Sequence, residues 1–225
     1  MLEVEFKPEV KQVIDSIIDK VVSLNLAKVV HRTADNKYYF GEWCYEHHEE
    51  LEGLHGDSGA TKMVFLSDDL DEWVIKVPFL FSPDIAPGSK GYEDFCYAEM
   101  EVYEEAEKEG LAQYFAPTYF YTIVDDIPFY VQKRAECNSD INEDVFFSYC
   151  SNSYDREDFE SEDDYYSAVN DDAEYMEDCD RLSAIFGGWI TKLINFFDDR
   201  GIGDFHAGNF GFINNEPVLI DYSGY

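Results

Sequence analysis

The stretch from Gly201 to Gly224, GIGDFHAGNFGFINNEPVLIDYSG, constrains this chain more than any other. It sets three polar residues, Asp204, Asn209 and Asp221, among apolar residues and glycines. Asp204 and Asn209 stand five residues apart in a segment too irregular for a helix or a plain strand. Asp221 follows Pro217-Val218-Leu219-Ile220, which reads as a buried strand ending at a Ser223-Gly224 turn. A carboxylate at the end of a buried strand, with a carboxylate and an amide on a nearby loop, can hold a hard cation through oxygen ligands. One carboxylate is then left to act as a base. The plainer alternative is a loop whose Asp and Asn only cap turns.

Composition bounds what surrounds this stretch. The net charge is −33, yet 45% of the 225 residues are hydrophobic and 17% aromatic, enough for a folded core. Phosphate backbones and anionic membranes would be repelled, so direct nucleic-acid or membrane binding is not expected. An acidic chain can instead occupy a basic partner. The five cysteines are odd in number and form no Cys-x-x-Cys pair, so neither a zinc site nor a disulfide framework is indicated. No apolar run reaches the roughly 18 residues of a membrane span, and the N-terminus lacks a signal core. A cytoplasmic protein with reduced thiols is the expectation.

Pro8 to Leu26 reads as an amphipathic helix, and Ala27 to Trp43 carries strand-like alternation around a turn at Asp35-Asn36. Gly53 to Gly59 reads as a small-residue loop. Two strands follow, Thr61–Leu66 and Trp73–Val77, joined by a hairpin turn. Glycines let a backbone approach a phosphate closely and offer its N–H groups. Lys76 sits among apolar residues on the second strand, and a buried lysine needs a partner. Tyr92 to Leu111 is an expected helix closed by Gly110, with Phe95, Ala98, Val102 and Ala106 as its buried stripe. Either Glu99 or Glu101 on it could face Lys76. Strands at Thr118–Val124 and Pro128–Lys133 come next, around a turn at Asp125-Asp126. Residues 136–180 hold seventeen acids against one base, Arg156, interleaved with Phe and Tyr. That block reads as either a solvated face or an interaction surface, with a helix over part of it, Tyr165 to Tyr175. Arg181 to Asp199 is a strongly apolar helix interrupted by Gly187-Gly188.

Asp204-Phe205-His206-Ala207-Gly208-Asn209, followed by a strand and Asp221-Tyr222-Ser223-Gly224, resembles the catalytic loop and metal motif of the protein-kinase-like superfamily. The likeness is to the form seen in aminoglycoside and choline phosphotransferases. Val74-Ile75-Lys76 resembles the lysine strand of kinases. Gly56 and Gly59 precede Lys76 by 20 and 17 residues, like the second and third glycines of the kinase loop; Leu54 stands at the first. The superfamily often shows Glu followed four residues later by Tyr, and Glu99 with Tyr103 fits. Ile202 and Gly203 replace the His-Arg that precedes the catalytic Asp in protein kinases.

The resemblance implies an α+β, kinase-like two-lobed fold, with an antiparallel-sheet N-lobe, a glutamate helix and a reduced helical C-lobe. Expected domains are an N-terminal helix and strand extension over 1–52, an N-lobe over 53–135, an acidic insert over 136–180 and the reduced C-lobe over 181–225. A hinge near Gln132 to Ala135 would meet adenine through its backbone. The implied function is ATP-dependent phosphotransfer. Lys76, held by Glu99, would contact the phosphates under the Gly56 and Gly59 loop; Asn209 and Asp221 would hold Mg²⁺; Asp204 would be the catalytic base. His206 is expected to be structural. The printed sequence ends four residues past Asp221, like a phosphotransferase truncated after its metal motif. The acceptor is therefore expected to be a protein hydroxyl rather than a small molecule, recognised through the acidic insert, the N-terminal helix or a partner. The alternative is an acidic binding protein on a kinase-like scaffold that occupies a basic or nucleic-acid-binding partner.

Overall fold

The computed structural model of the protein describes residues 5–33, 38–82, 94–137, 160–171, 184, 190–200, 202 and 209–223. The chain divides into two compact units, Met1–Ala135 and Glu136–Tyr225.

In the first unit, helix α1 (Pro8–Ser23) opens on a proline, whose missing N–H costs nothing in a first turn. Asn25, in the left-handed region at φ 60°, ends it. Its stripe of Ile14, Ile17, Ile18 and Val21 is buried. A single turn, α2 (Ala27–Val30), leads into β1 (His31–Arg32), and α3 (Phe40–Glu46) follows. This corrects the strand-like reading of Ala27 to Trp43. Val29, Val30, Phe40 and Trp43 all reach one core from helical turns, so alternation over so short a span did not mark a strand. The expected turn at Asp35-Asn36 lies outside the described residues.

Strands β2 (Leu54–Ser58), β3 (Lys62–Ser67) and β4 (Trp73–Pro78) form a meander. The short β5 (Leu80–Phe81) turns away and pairs in parallel with β1. Helix α4 (Phe95–Glu109) is capped by Asp94, whose carboxylate accepts the Tyr97 N–H at 2.9 Å. It closes on Gly110 at φ 72°. A 3-10 turn follows at Ala112–Tyr114. Strands β6 (Thr118–Val124) and β7 (Ile127–Lys133) form a hairpin around Asp125 and Asp126, both at positive φ. The five-stranded sheet runs β2-β3-β4-β7-β6 with every neighbour antiparallel.

Side chains alternate across a strand, so each face of this sheet meets a different layer. Met63, Phe65, Ile75, Val77, Phe129 and Val131 join α1, α2 and α3 in the main core. Helix α4 packs against β4 and β6, and Cys96 and Met100 meet Tyr130 in a smaller cluster.

In the second unit, α5 (Glu162–Asp171) falls within the acidic block. Helix α6 (Ile190–Asp198) is the described part of the helix expected over Arg181 to Asp199, and it buries Leu193, Phe196 and Phe197. Strands β8 (Phe210–Ile213) and β9 (Glu216–Leu219) form a hairpin around Asn214-Asn215, both at positive φ as the tight turn requires. Glu136 bridges to Phe212 through a reciprocal pair of backbone bonds at 2.9 and 2.8 Å. Mixed α and β structure around an antiparallel sheet is the observed class. Among the described residues, no helix is long and apolar enough to cross a membrane.

Candidate functional site

Lys76 lies in the middle of β4, a central strand paired with β3 on one side and β7 on the other. Its neighbours Ile75 and Val77 point into the main core, so its own side chain goes to the α4 face. There it is 3% exposed. Glu99 reaches the same place because Phe95, Glu99, Tyr103 and Ala106 fall on one stripe of α4 at helical spacing. Glu99 is fully buried, and Lys76 Nζ donates to its Oε2 at 2.8 Å and its Oε1 at 3.1 Å. The other candidate, Glu101, is exposed.

A second lysine converges on the same carboxylate. Lys62, near the start of β3 and 2% exposed, donates to Glu99 Oε1 at 2.6 Å. The register places Val64 opposite Lys76, so Lys62 shares its face of the sheet. No motif marks Lys62. The signal was its alternation with the core-facing Met63 and Phe65, which only the hairpin register turns into a position beside Lys76. Two ammonium groups thus meet on one carboxylate, and Asp94 lies near enough to Lys62 for its charge to be felt. Close by, burial pushes the Cys96 thiol well above its ordinary range, and Glu99 adds to the effect, so this sulfur stays protonated.

The two glycines have different surroundings from those expected. The segment read as a small-residue loop is strand β2, with Gly56 inside it opposite Phe65. A Cβ on Gly56 would come within 2.6 Å of Phe40 Cζ and 3.3 Å of Cys44 Sγ. Its missing side chain therefore lets α3 close over the edge strand. Gly59 lies in the β2–β3 connection, and its N–H already donates to the Lys62 carbonyl at 3.1 Å. That amide closes the hairpin, a use that competes with gripping a phosphate. At the expected hinge, the Lys133 and Arg134 N–H groups donate to the carbonyls of Pro117 and Glu72, both at 2.9 Å. The Gln132 side chain is buried against Thr118 Oγ1 at 2.8 Å. These donors are engaged within the first unit.

In the second unit, the β8–β9 hairpin draws Asn209 and Asp221 to the same end. Phe210 pairs with Leu219, and the Ile220 N–H donates to the Asn209 carbonyl at 2.8 Å. Asn209 is 5% exposed, and the half-buried Asp221 accepts from Ser223 Oγ at 3.4 Å. An amide oxygen and a carboxylate at one hairpin end are the hard donors Mg²⁺ prefers, so the residues present fit that ion. Asp204 and His206 lie outside the described residues.

Compared with protein-family models and with curated proteins, the chain matches none. Among solved structures it has a distant likeness to an aminoglycoside phosphotransferase from Alicyclobacillus acidocaldarius subsp. acidocaldarius DSM 446. The identity is 15%, the TM-score is 0.29, and the comparison covers 76% of this chain. The chain spans 62% of the length of that structure.

Proposed function

We propose that the protein is a kinase-like phosphotransferase that moves the γ-phosphate of ATP to a hydroxyl acceptor. The observation that carries the reading is the buried convergence of Lys76 and Lys62 on Glu99. An isolated buried lysine is costly, and a carboxylate that fixes its position makes it a directed hydrogen-bond donor to phosphate oxygens. In this reading Glu99 orients Lys76 toward the nucleotide phosphates. Asn209 and Asp221 hold Mg²⁺, which when bound neutralises charge on the phosphate oxygens. Asp204 accepts the proton of the acceptor hydroxyl. The acceptor oxygen forms its bond to the γ-phosphorus as the bond to the bridging oxygen breaks, and ADP leaves with that electron pair. The acceptor class proposed is a protein hydroxyl, and the net charge of −33 suits a basic partner docked through the acidic insert.

Thermal unfolding with and without Mg-ATP tests the reading. Wild type should be stabilised, while Lys76→Met and Asp221→Ala should each lose the shift. Incorporation of γ-phosphate into the protein itself or into a basic protein substrate should vanish in Asp204→Asn. No stabilisation of wild type by Mg-ATP overturns the phosphotransferase reading. The same charge would then favour the second reading, an acidic protein that occupies a basic partner and is released by salt.

A further inference from the structure

A cavity lies on the sheet face away from Lys62, Lys76 and Glu99. Residues alternate along β4, and beyond it Phe79 continues the row of Ile75 and Val77 into the main core. The cavity opens between the β1–β5 pair, the start of α3 and the tip of the β2–β3 hairpin, with a volume of about 390 Å³. That lies within the range of small-molecule sites. Phe40, Phe79 and Phe81 give it apolar walls, and Tyr39 flanks them.

Arg32 is the one charged residue among its described lining residues. The guanidinium lies 4.0 Å from the centroid of the Phe79 ring and gives an N–H to the Tyr38 carbonyl at 2.8 Å. Among the described residues, no carboxylate lies within ion-pair distance of it. In a chain with 49 acids and 16 lysines and arginines, that is not for lack of acids. Arg32 is also half-buried, and burial holds its pKa below the usual value. A guanidinium has five donors in a flat fork that matches carboxylate or phosphate oxygens, and stacking on a ring leaves that edge available.

We propose that this cavity binds a small organic anion, a carboxylate or phosphate on a flat aromatic body, with Arg32 taking the anionic group and the phenylalanine walls the ring. The site is separate from the buried lysines, because Lys62, Lys76 and Glu99 do not line it; Gly59, expected in the phosphate loop, lies at its rim, so competition with Mg-ATP is part of the test.

Calorimetric titration of the full chain with benzoate, phenyl phosphate, benzyl alcohol and inorganic phosphate tests it. Saturable binding of benzoate or phenyl phosphate is expected, and the tighter of the two identifies the anionic group. Neutral benzyl alcohol and bare phosphate should each bind at least about tenfold more weakly. Arg32→Gln should lose about tenfold in affinity, and Arg32→Lys should fall between it and wild type, keeping charge without the fork. Gly41→Leu supplies a control that leaves every charge in place. No atom lies within 4 Å of where a Cβ on Gly41 would stand, so the side chain can enter the cavity and should block binding. Circular dichroism and the melting temperature report whether each variant is folded. The proposal falls if neither aromatic anion saturates, if Arg32→Gln and Gly41→Leu both bind as wild type does, or if Mg-ATP displaces the anion.

Discussion

Glu99 holds two lysines with its two oxygens, which makes it the residue whose loss should be felt most. Glu99→Gln leaves both ammonium groups buried beside an uncharged amide. It is expected to cost about 3 kcal/mol, since breaking a buried ion pair strands its partner. Lys62→Met or Lys76→Met alone should cost less, because the carboxylate keeps one lysine and the methionine fills similar volume. Urea denaturation of the three variants gives the order, and a Glu99→Gln no less stable than either lysine variant would contradict it. Lys76 is legible in the sequence from its apolar strand, whereas the helical pattern leaves Glu99 and Glu101 both open, and Tyr103 four residues on favours Glu99 only through the family resemblance. Lys62 is not legible. Its role depends on β3 lying beside β4 with Val64 opposite Lys76, a register that no local pattern states.

Elements were legible where one periodicity held over many residues. Helices α1 and α4 and the β6–β7 hairpin lie close to where the sequence puts them, with ends shifted by a few residues. The region between α1 and β2 shows strand-like alternation in the sequence because its helical pieces, four and seven residues long, are too short to display a helical period. Strand β2 looks like a loop in the sequence because small and polar residues, His55-Gly56-Asp57-Ser58, carry little strand preference, and pairing with β3 overrides that. Strand β8, four residues long and containing Gly211, carries little pattern of its own, although Asn214-Asn215 is a tight-turn pair. The two glycines can be told apart by experiment. Gly56→Ala must displace the buried Phe40 ring and is expected to destabilise the fold by about 1–3 kcal/mol. Gly59→Ala meets no atom within 4 Å and should leave stability nearly unchanged. Comparing their thermal midpoints checks this, and equal stability of the two variants would remove the packing role of Gly56.

For the molecule as a whole, forty-nine acids against sixteen lysines and arginines make self-repulsion the dominant long-range force. Exposed charges are screened over about 8 Å at 0.15 M salt, so added salt should relieve the compact state more than the unfolded one. Raising NaCl from about 0.02 to about 0.5 M is expected to lift the melting temperature by several degrees, or roughly 1–2 kcal/mol. A flat or falling melting temperature would mean that screened ion pairs, such as Lys11–Asp15 and Lys133–Glu72, outweigh the repulsion.

The tie between α1 and β6 has a consequence for the order in which the protein is made. Tyr121 donates to Asp15 across 106 residues of sequence, and the core around Ile14, Ile17 and Ile18 is completed by Ile127, Phe129 and Val131. At about 5–20 residues per second, a ribosome needs roughly 5–20 seconds after releasing α1 before β7 exists to receive it. Through that interval α2, α3, β3 and β4 can cover only part of the apolar stripe of α1, and the part that Ile127, Phe129 and Val131 cover stays open. A nascent chain stalled before β7 should therefore bind chaperones more than one stalled after β7 has emerged.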